Sequence, residues 1–96
     1  MLVENMNKTS KMKKVPLPRF YLIDRRVKLG LSVEEVSRQL DVTHYYYYQL
    51  ENGNRGRKLT VSMLVKLTRA LQMDADELLQ FESEYIDKYK DLNCNN

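Results

Sequence analysis

The sequence predicts an all-α domain of five helices, and three kinds of signal support that class. Apolar residues recur at helical spacing in successive segments of the chain. Good N-cap residues, Ser32 and Thr43, precede the second and third segments. Gly30 and Gly53 follow the first and third, where glycine favours a helix end. With 96 residues, the chain has room for one core and is too small for a second folded unit.

The central stretch runs from Thr43 to Gly53 and reads THYYYYQLENG. Its four consecutive tyrosines cannot share one role, because successive residues of a helix point about 100° apart. Tyr47 falls on the same side as Leu50 and Glu51, and this side is predicted to be buried. The opposite side is predicted to be a reading surface, and it carries Tyr45, Tyr48, Gln49 and Asn52.

The preceding segment, Ser32 to Leu40, is predicted to be a second helix that begins with a capping box. Ser32 and Glu35 have the Ser-x-x-Glu spacing in which each side chain bonds to the other residue's amide. Only Asp41 and Val42 separate this segment from Thr43. Two short helices joined by so tight a turn form a helix-turn-helix.

Three further helices complete the prediction. Helix 1 runs from Arg19 to Lys28, helix 4 runs from Thr60 to Leu71, and Asp74 caps helix 5. Their apolar residues are predicted to supply most of the remaining core: Phe20, Leu22, Ile23, Val27, Leu29, Val61, Leu64, Val65, Leu67, Leu71, Ala75, Leu78 and Leu79.

The ordered set of residues from Arg19 to Leu79 resembles the lambda-repressor-like (Cro/XRE) family of DNA-binding domains. The resemblance rests on Arg26, Leu29-Gly30-Leu31-Ser32, Glu34-Glu35-Val36, Val42-Thr43, Gln49-Leu50-Glu51-Asn52-Gly53, Leu64, Lys66-Leu67, Ala70-Leu71 and Asp76-Glu77-Leu78-Leu79. It implies a DNA-binding domain over residues 19–79 that reads double-stranded DNA with helix 3.

The resemblance places base reading on His44, Tyr45 and Gln49. The carboxamide of Gln49 can pair with adenine N6 and N7 in the major groove. Position 33 departs from the family, which usually has a glutamine there for docking to a phosphate, whereas Val33 cannot make that contact. Contacts to the DNA backbone are expected from Thr43, Tyr48, Asn52, Asn54, Arg55, Arg57 and Lys58.

Arg26 matches a family arginine that pairs with the glutamate of helix 3, here Glu51. Glu51 lies near the inner side of its helix and needs a cationic partner there. A structural ion pair is therefore predicted, and two solvated surface charges are the alternative. Tyr45 and Tyr48 likewise have an alternative role, as an exposed aromatic patch for a protein partner.

The two ends of the chain are predicted to differ from the domain between them. Residues 1–18 hold four lysines against one acid and end in Pro16-Leu17-Pro18, which indicates a flexible basic arm, either a DNA contact or a solubilising tail. Residues 80–96 continue as a helical extension with an apolar stripe, which either folds back onto helix 1 or joins two chains. The candidates for a dimer contact in that stripe are Phe81, Tyr85, Ile86 and Tyr89.

The distribution of charge favours a polyanionic partner for the body of the chain. Residues 19–73 hold ten basic and five acidic side chains, a net charge of +5, whereas residues 74–96 hold two and seven, a net charge of −5. One histidine, one cysteine and no phosphate-binding loop give no catalytic constellation, so we expect neither an enzyme nor a bound cofactor or metal. No apolar run is long enough to span a membrane, and no signal peptide is evident, which favours the cytoplasm.

The resemblance implies a sequence-specific transcriptional regulator, most simply a repressor of a phage, mobile element or bacterial operon. A homodimer on an inverted-repeat operator is expected, because a dimer presents two copies of helix 3 to two half-sites. The alternative is a protein-interaction module on the same fold, such as an antitoxin, an antirepressor or an adaptor.

Overall fold

A computed structural model describes residues 15–54 and 58–93 of the chain. These residues form five helices and no strand: α1 (Phe20–Lys28), α2 (Val33–Leu40), α3 (His44–Asn52), α4 (Val61–Ala70) and α5 (Ala75–Asn93). The predicted all-α, five-helix class is confirmed, and each predicted helix lies within a residue or two of its expected bounds, except that α5 continues without a break through residues 79 and 80.

Local side-chain caps fix where the helices begin. The Ser32 hydroxyl accepts a bond from the Glu35 amide (3.0 Å), and the Glu35 carboxylate accepts one from the Ser32 amide (2.7 Å). The bond from the Ser32 amide lowers the pKa of the Glu35 carboxyl. Thr60 caps α4 in the same way, since its hydroxyl accepts from the Met63 amide at 3.1 Å. The capping box predicted at Ser32 is therefore confirmed, and Thr60 adds a cap that was not predicted.

One hydrophobic core lies between the helices. The helix α2 packs against α3 and α4, α4 packs against α5, and α1 packs against α3. The buried residues of this core are Leu22, Val36, Leu40, Tyr47, Leu50, Leu67, Ala70, Leu71, Met73 and Leu78.

Several apolar residues that the sequence assigns to the core are instead exposed: Phe20, Val27, Val61, Val65 and Leu79. The reason is angular. Phe20 lies about 200° around α1 from the buried Leu22, and Leu79 lies about 100° from the buried Leu78. The apolar residues of these helices are spread over more of the helix surface than the neighbouring helices can cover.

Tyr47 is wholly buried, as the sequence predicts, but its hydroxyl has no hydrogen-bond partner among the described residues. A buried polar group without a partner costs free energy. Burial raises the pKa of the Tyr47 hydroxyl well above its ordinary value, and the nearby Glu51 carboxylate raises it further. The ring therefore stabilises the core, and the neutral hydroxyl adds little to stability at neutral pH.

Tyr47→Phe is accordingly expected to leave stability at neutral pH unchanged or to raise it by up to about 1 kcal/mol. In the wild type, the pKa of Tyr47 is higher in the folded state than in the unfolded state, where it is about 10. The free energy of unfolding therefore keeps its full value below about pH 10 and falls as the pH rises further, because the unfolded state loses its proton first. The variant should reduce that alkaline loss by about 1.4 kcal/mol per pH unit. Urea denaturation at neutral and alkaline pH measures both effects, and a clear loss of stability at neutral pH would contradict the expectation.

Candidate nucleic-acid interface

The helices α2 and α3 are joined by a turn of three residues that fixes their relative orientation. Asp41 takes a left-handed conformation (φ 60°), which aspartate tolerates better than most residues. The Val42 amide then donates back to the Ser37 carbonyl at 3.1 Å. Thr43 caps α3, because its hydroxyl accepts from the Tyr46 amide at 3.1 Å. A helix-turn-helix results, in which one side of α3 is left uncovered.

The two sides of α3 differ in burial. Tyr47, Leu50 and Glu51 are buried against the rest of the domain. On the other side, the side chains of Tyr45 and Tyr48 are 60% and 52% exposed. His44 is exposed beside them at the start of the helix, and Gln49 and Asn52 are partly exposed. The three predicted base-reading residues, His44, Tyr45 and Gln49, therefore lie at the surface.

Tyr45 and Gln49 are bonded to each other across one helical turn. The Gln49 side-chain amide donates to the Tyr45 hydroxyl at 2.9 Å. A glutamine amide has two N–H donors and an acceptor oxygen. The bond to Tyr45 uses one of these donors and orients the Gln49 side-chain amide.

The structure describes some, but not all, of the residues that are predicted to contact the DNA backbone. Thr43 is occupied as the cap of α3 but remains exposed, and the Asn52 side-chain oxygen accepts from the Asn54 amide at 3.2 Å. Asn54 and Lys58 are exposed. Arg55 and Arg57 lie outside the described residues, so their contacts with phosphate stay a prediction.

Arg26 and Glu51 form a two-point ion pair between α1 and α3. The guanidinium donates to the two carboxylate oxygens at 2.6 and 3.1 Å, and it also donates to the Leu31 carbonyl at 3.0 Å. The Glu51 side chain is only 4% exposed and that of Arg26 is 16% exposed. The bond to Glu51 raises the pKa of Arg26. This pair ties the inner side of α3 to α1.

A second arginine, Arg19 directly before α1, packs against the C-terminal end of α3 and is not among the predicted site residues. Arg19 is 0% exposed, and its guanidinium donates to both oxygens of Glu82 on α5 at 3.0 and 2.8 Å. The same guanidinium donates to the Leu50 carbonyl at 3.0 Å, and the Arg19 amide donates to the Glu51 carbonyl at 2.7 Å. Its guanidinium carbon also lies 4.3 Å from the centre of the Tyr85 ring. Arg19 thus joins α5 to the last turn of α3.

The positive charge of Arg19 and the negative charge of Glu82 offset each other in this buried cluster. Burial lowers the pKa of Arg19, but the bond and the charge of Glu82 more than offset it and raise that pKa overall. The Tyr21 hydroxyl donates to the same carboxylate, and burial and this bond raise the pKa of Tyr21. One sequence signal points to Glu82 but not to its partners: Glu82 is spaced with Leu78 and Tyr85 on one helix face, so a charged residue occupies a core-facing position.

The chain before Arg19 runs along α5 rather than leaving the domain. The Val15 amide donates to the Asn93 side-chain oxygen at 2.7 Å, and the Asn93 side-chain amide donates to the Val15 carbonyl at 3.2 Å. The Tyr85 hydroxyl donates to the Leu17 carbonyl at 2.8 Å. The predicted arm, residues 1–18, therefore needs correction at its end, because Val15 and Leu17 are bonded to α5. Residues 1–14, with their four lysines, lie outside the described residues.

The apolar stripe of α5 is partly covered by its own chain. Tyr85 was predicted as a candidate for a contact with a second chain. It is instead buried within its own chain, where its ring lies under Arg19. The Phe81 ring stacks on Tyr21 with 5.2 Å between ring centres, which agrees with the alternative of folding back onto α1. Ile86 and Tyr89 are half-buried, and Leu92 is exposed.

Comparison with known proteins gives one family. The family described as helix-turn-helix matches residues 22–78, which is more than half of the chain. No curated protein and no solved structure matches the chain. Within residues 15–54 and 58–93, no helix combines the length and apolarity that crossing a membrane requires.

Proposed function

Because the chain belongs to the lambda-repressor-like (Cro/XRE) helix-turn-helix family of DNA-binding transcription regulators, we propose that it reads a specific sequence in double-stranded DNA with α3. One observation carries the proposal: the uncovered side of α3 presents Gln49, held by Tyr45, beside exposed polar and aromatic side chains. A helix anchored on its inner side and polar on its outer side is suited to the major groove.

In this mechanism Gln49 reads an adenine through its amide nitrogen and oxygen. Tyr45 keeps the amide in place, and its ring can contact a thymine methyl group. His44, at the start of α3, donates to a base or to a phosphate. Thr43, Tyr48 and Asn52 contact the sugar-phosphate backbone and set the register of the helix.

Phosphate contacts from the basic residues add affinity that does not depend on sequence. The loop after α3 supplies Asn54, Arg55, Arg57 and Lys58, and residues 1–14 supply further lysines. Each neutralised phosphate releases counterions, so the logarithm of affinity falls linearly with the logarithm of salt concentration. The function needs no catalytic step and no cofactor.

The regulator acts most simply as a homodimer on an inverted repeat, in the cytoplasm, as a repressor of a phage, mobile element or bacterial operon. Apolar side chains that α5 leaves at the surface support a contact between two chains: Phe81 and Leu92 are exposed, and Ile86 and Tyr89 are half-buried. Two-fold pairing would separate the two copies of α3 by about one turn of DNA, roughly 34 Å. Analytical ultracentrifugation of the full chain tests this, and a monomer at all concentrations and on DNA would contradict it.

Selection from a pool of random duplexes at two salt concentrations tests the function as a whole. We expect the bound fraction to be enriched in an inverted repeat with half-sites about ten base pairs apart. Binding without an enriched sequence would reduce α3 to a general DNA contact. Absence of binding at low salt would overturn the proposal.

Gln49→Ala is expected to cost about 1–3 kcal/mol in binding to the selected duplex and to relax the preference at one base pair. Its affinity for random DNA should change little, because that affinity comes from phosphate contacts. Fluorescence anisotropy with both duplexes measures the two affinities. An equal loss on both would contradict the base-reading role.

Gln80→Ala is a matched control for this substitution. Gln80 is an exposed glutamine on α5 whose amide donates to Glu84 four residues later at 2.9 Å, so it is also bonded across one helical turn, but away from α3. Its replacement should leave both affinities unchanged.

A protein-interaction module on the same fold is the second candidate function. The exposed rings of Tyr45 and Tyr48 favour it, since aromatic residues are enriched at protein interfaces. A contact of this kind would respond weakly to salt, whereas DNA binding responds strongly. The salt series in the selection experiment therefore distinguishes the two functions.

A further inference from the structure

The last turn of α3 is capped by a distant part of the chain. Carbonyl groups in the last turn of a helix have no partner within the helix. Two of these carbonyls in α3, those of Leu50 and Glu51, accept bonds from the Arg19 guanidinium (3.0 Å) and the Arg19 amide (2.7 Å). A cation at this end also interacts favourably with the helix dipole.

Arg19 is in turn fixed by α5. Glu82 accepts two bonds from its guanidinium, and the Tyr85 ring lies against the other side of the cation. Both Arg19 and Glu82 lie outside the matched residues 22–78. Because Arg19 is wholly buried, it cannot reach a phosphate itself, and any effect on DNA binding must pass through α3.

We propose that Arg19, fixed by Glu82, is a positioning residue for α3, and that α5 beyond Leu78 thereby takes part in DNA binding without touching DNA. The inference rests on the proposed function of α3. Arg26 holds the Glu51 side chain, whereas Arg19 holds the main chain of the same turn. Gln49 directly precedes Leu50, so a displacement of this turn displaces the reading side chain.

The test compares Arg19→Lys with Tyr21→Phe. Lysine keeps the buried charge, but it lacks the planar fork that bonds Glu82 and the Leu50 carbonyl together. Tyr21→Phe removes a bond to the same Glu82 carboxylate and leaves every bond from Arg19 to α3 in place. Both variants can lose stability, but only the first changes the hold on α3.

Two quantities are measured well below the unfolding midpoint of each variant. The first is the ratio of affinities for the duplex selected by the wild type and for a random duplex of equal length. The second is amide hydrogen exchange over residues 50–54 in the DNA-free protein. Arg19→Lys should lower the affinity ratio about tenfold and speed the exchange. Tyr21→Phe should change the ratio by less than about twofold.

Equal changes in the ratio for the two variants, or none for Arg19→Lys, would overturn the positioning role. If Arg19→Lys does not fold, Glu82→Gln replaces it: the carboxamide has one acceptor oxygen where the carboxylate accepts from Arg19 with two, so the guanidinium that bonds the Leu50 carbonyl is held less firmly. It should lower the ratio about threefold, and an unchanged ratio would overturn the proposal. If the wild type selects no duplex, the proposed function fails, while hydrogen exchange still decides whether Arg19 holds α3.

Discussion

Gly53→Ala is expected to lower the free energy of unfolding by about 3 kcal/mol. Gly53 ends α3 with φ 83°, a left-handed conformation that costs a non-glycine residue about 1–2 kcal/mol. A Cβ atom there would also lie 2.1 Å from the Leu17 carbonyl oxygen and within 3 Å of two other main-chain atoms of Leu17. Since main-chain atoms cannot rotate away as a side chain does, the backbone around Leu17 must shift.

Gly30→Ala provides the control for the conformational part of this cost. Gly30 has a similar φ of 73°, but a Cβ atom there meets nothing within 4 Å. Its replacement should cost only about 1 kcal/mol. Urea denaturation of both variants measures the difference, which isolates the close approach of Leu17. Equal costs would mean that Leu17 does not pack against the end of α3.

The parts of the fold that could be predicted from the sequence are those set by local signals. The caps at Ser32, Thr43 and Thr60 and the glycine at position 53 act within one turn of the residues they affect. The division of α3 into a buried and an exposed side follows from helical spacing alone. These local rules are enough to locate the helix-turn-helix and the surface that it leaves open.

The cluster around Arg19 could not be predicted from the sequence, because its contacts join residues that are far apart in the chain. Arg19 and Glu82 are 63 positions apart, and the Val15–Asn93 bonds join residues 78 positions apart. Periodicity shows that the stripe on α5 must be covered, but it cannot tell whether residues 15–18 or a second chain covers it. Phe20 and Val27 were predicted to lie in the core, but both are exposed, because an apolar residue need not face the core.

Arg26→Met is expected to lower the free energy of unfolding by about 3 kcal/mol, because it leaves the Glu51 carboxylate buried without a cation. The two partners are not equivalent. Glu51 is 4% exposed and Arg26 is 16% exposed, so an unpaired Arg26 reaches water more easily than an unpaired Glu51. Glu51→Gln should therefore cost less than Arg26→Met, and the double variant should be more stable than Arg26→Met alone, since no buried charge remains.

Chemical denaturation of the two single variants and the double variant completes this cycle. Arg38→Met is the matched control, because Arg38 is exposed on α2 and its replacement should change stability by no more than about 0.5 kcal/mol. If the two single costs simply add in the double variant, Arg26 and Glu51 act as independent charges. A coupling of about 1 kcal/mol or more would instead show that α1 holds α3 through this pair, which keeps the inner side of α3 fixed while its outer side stays open to DNA.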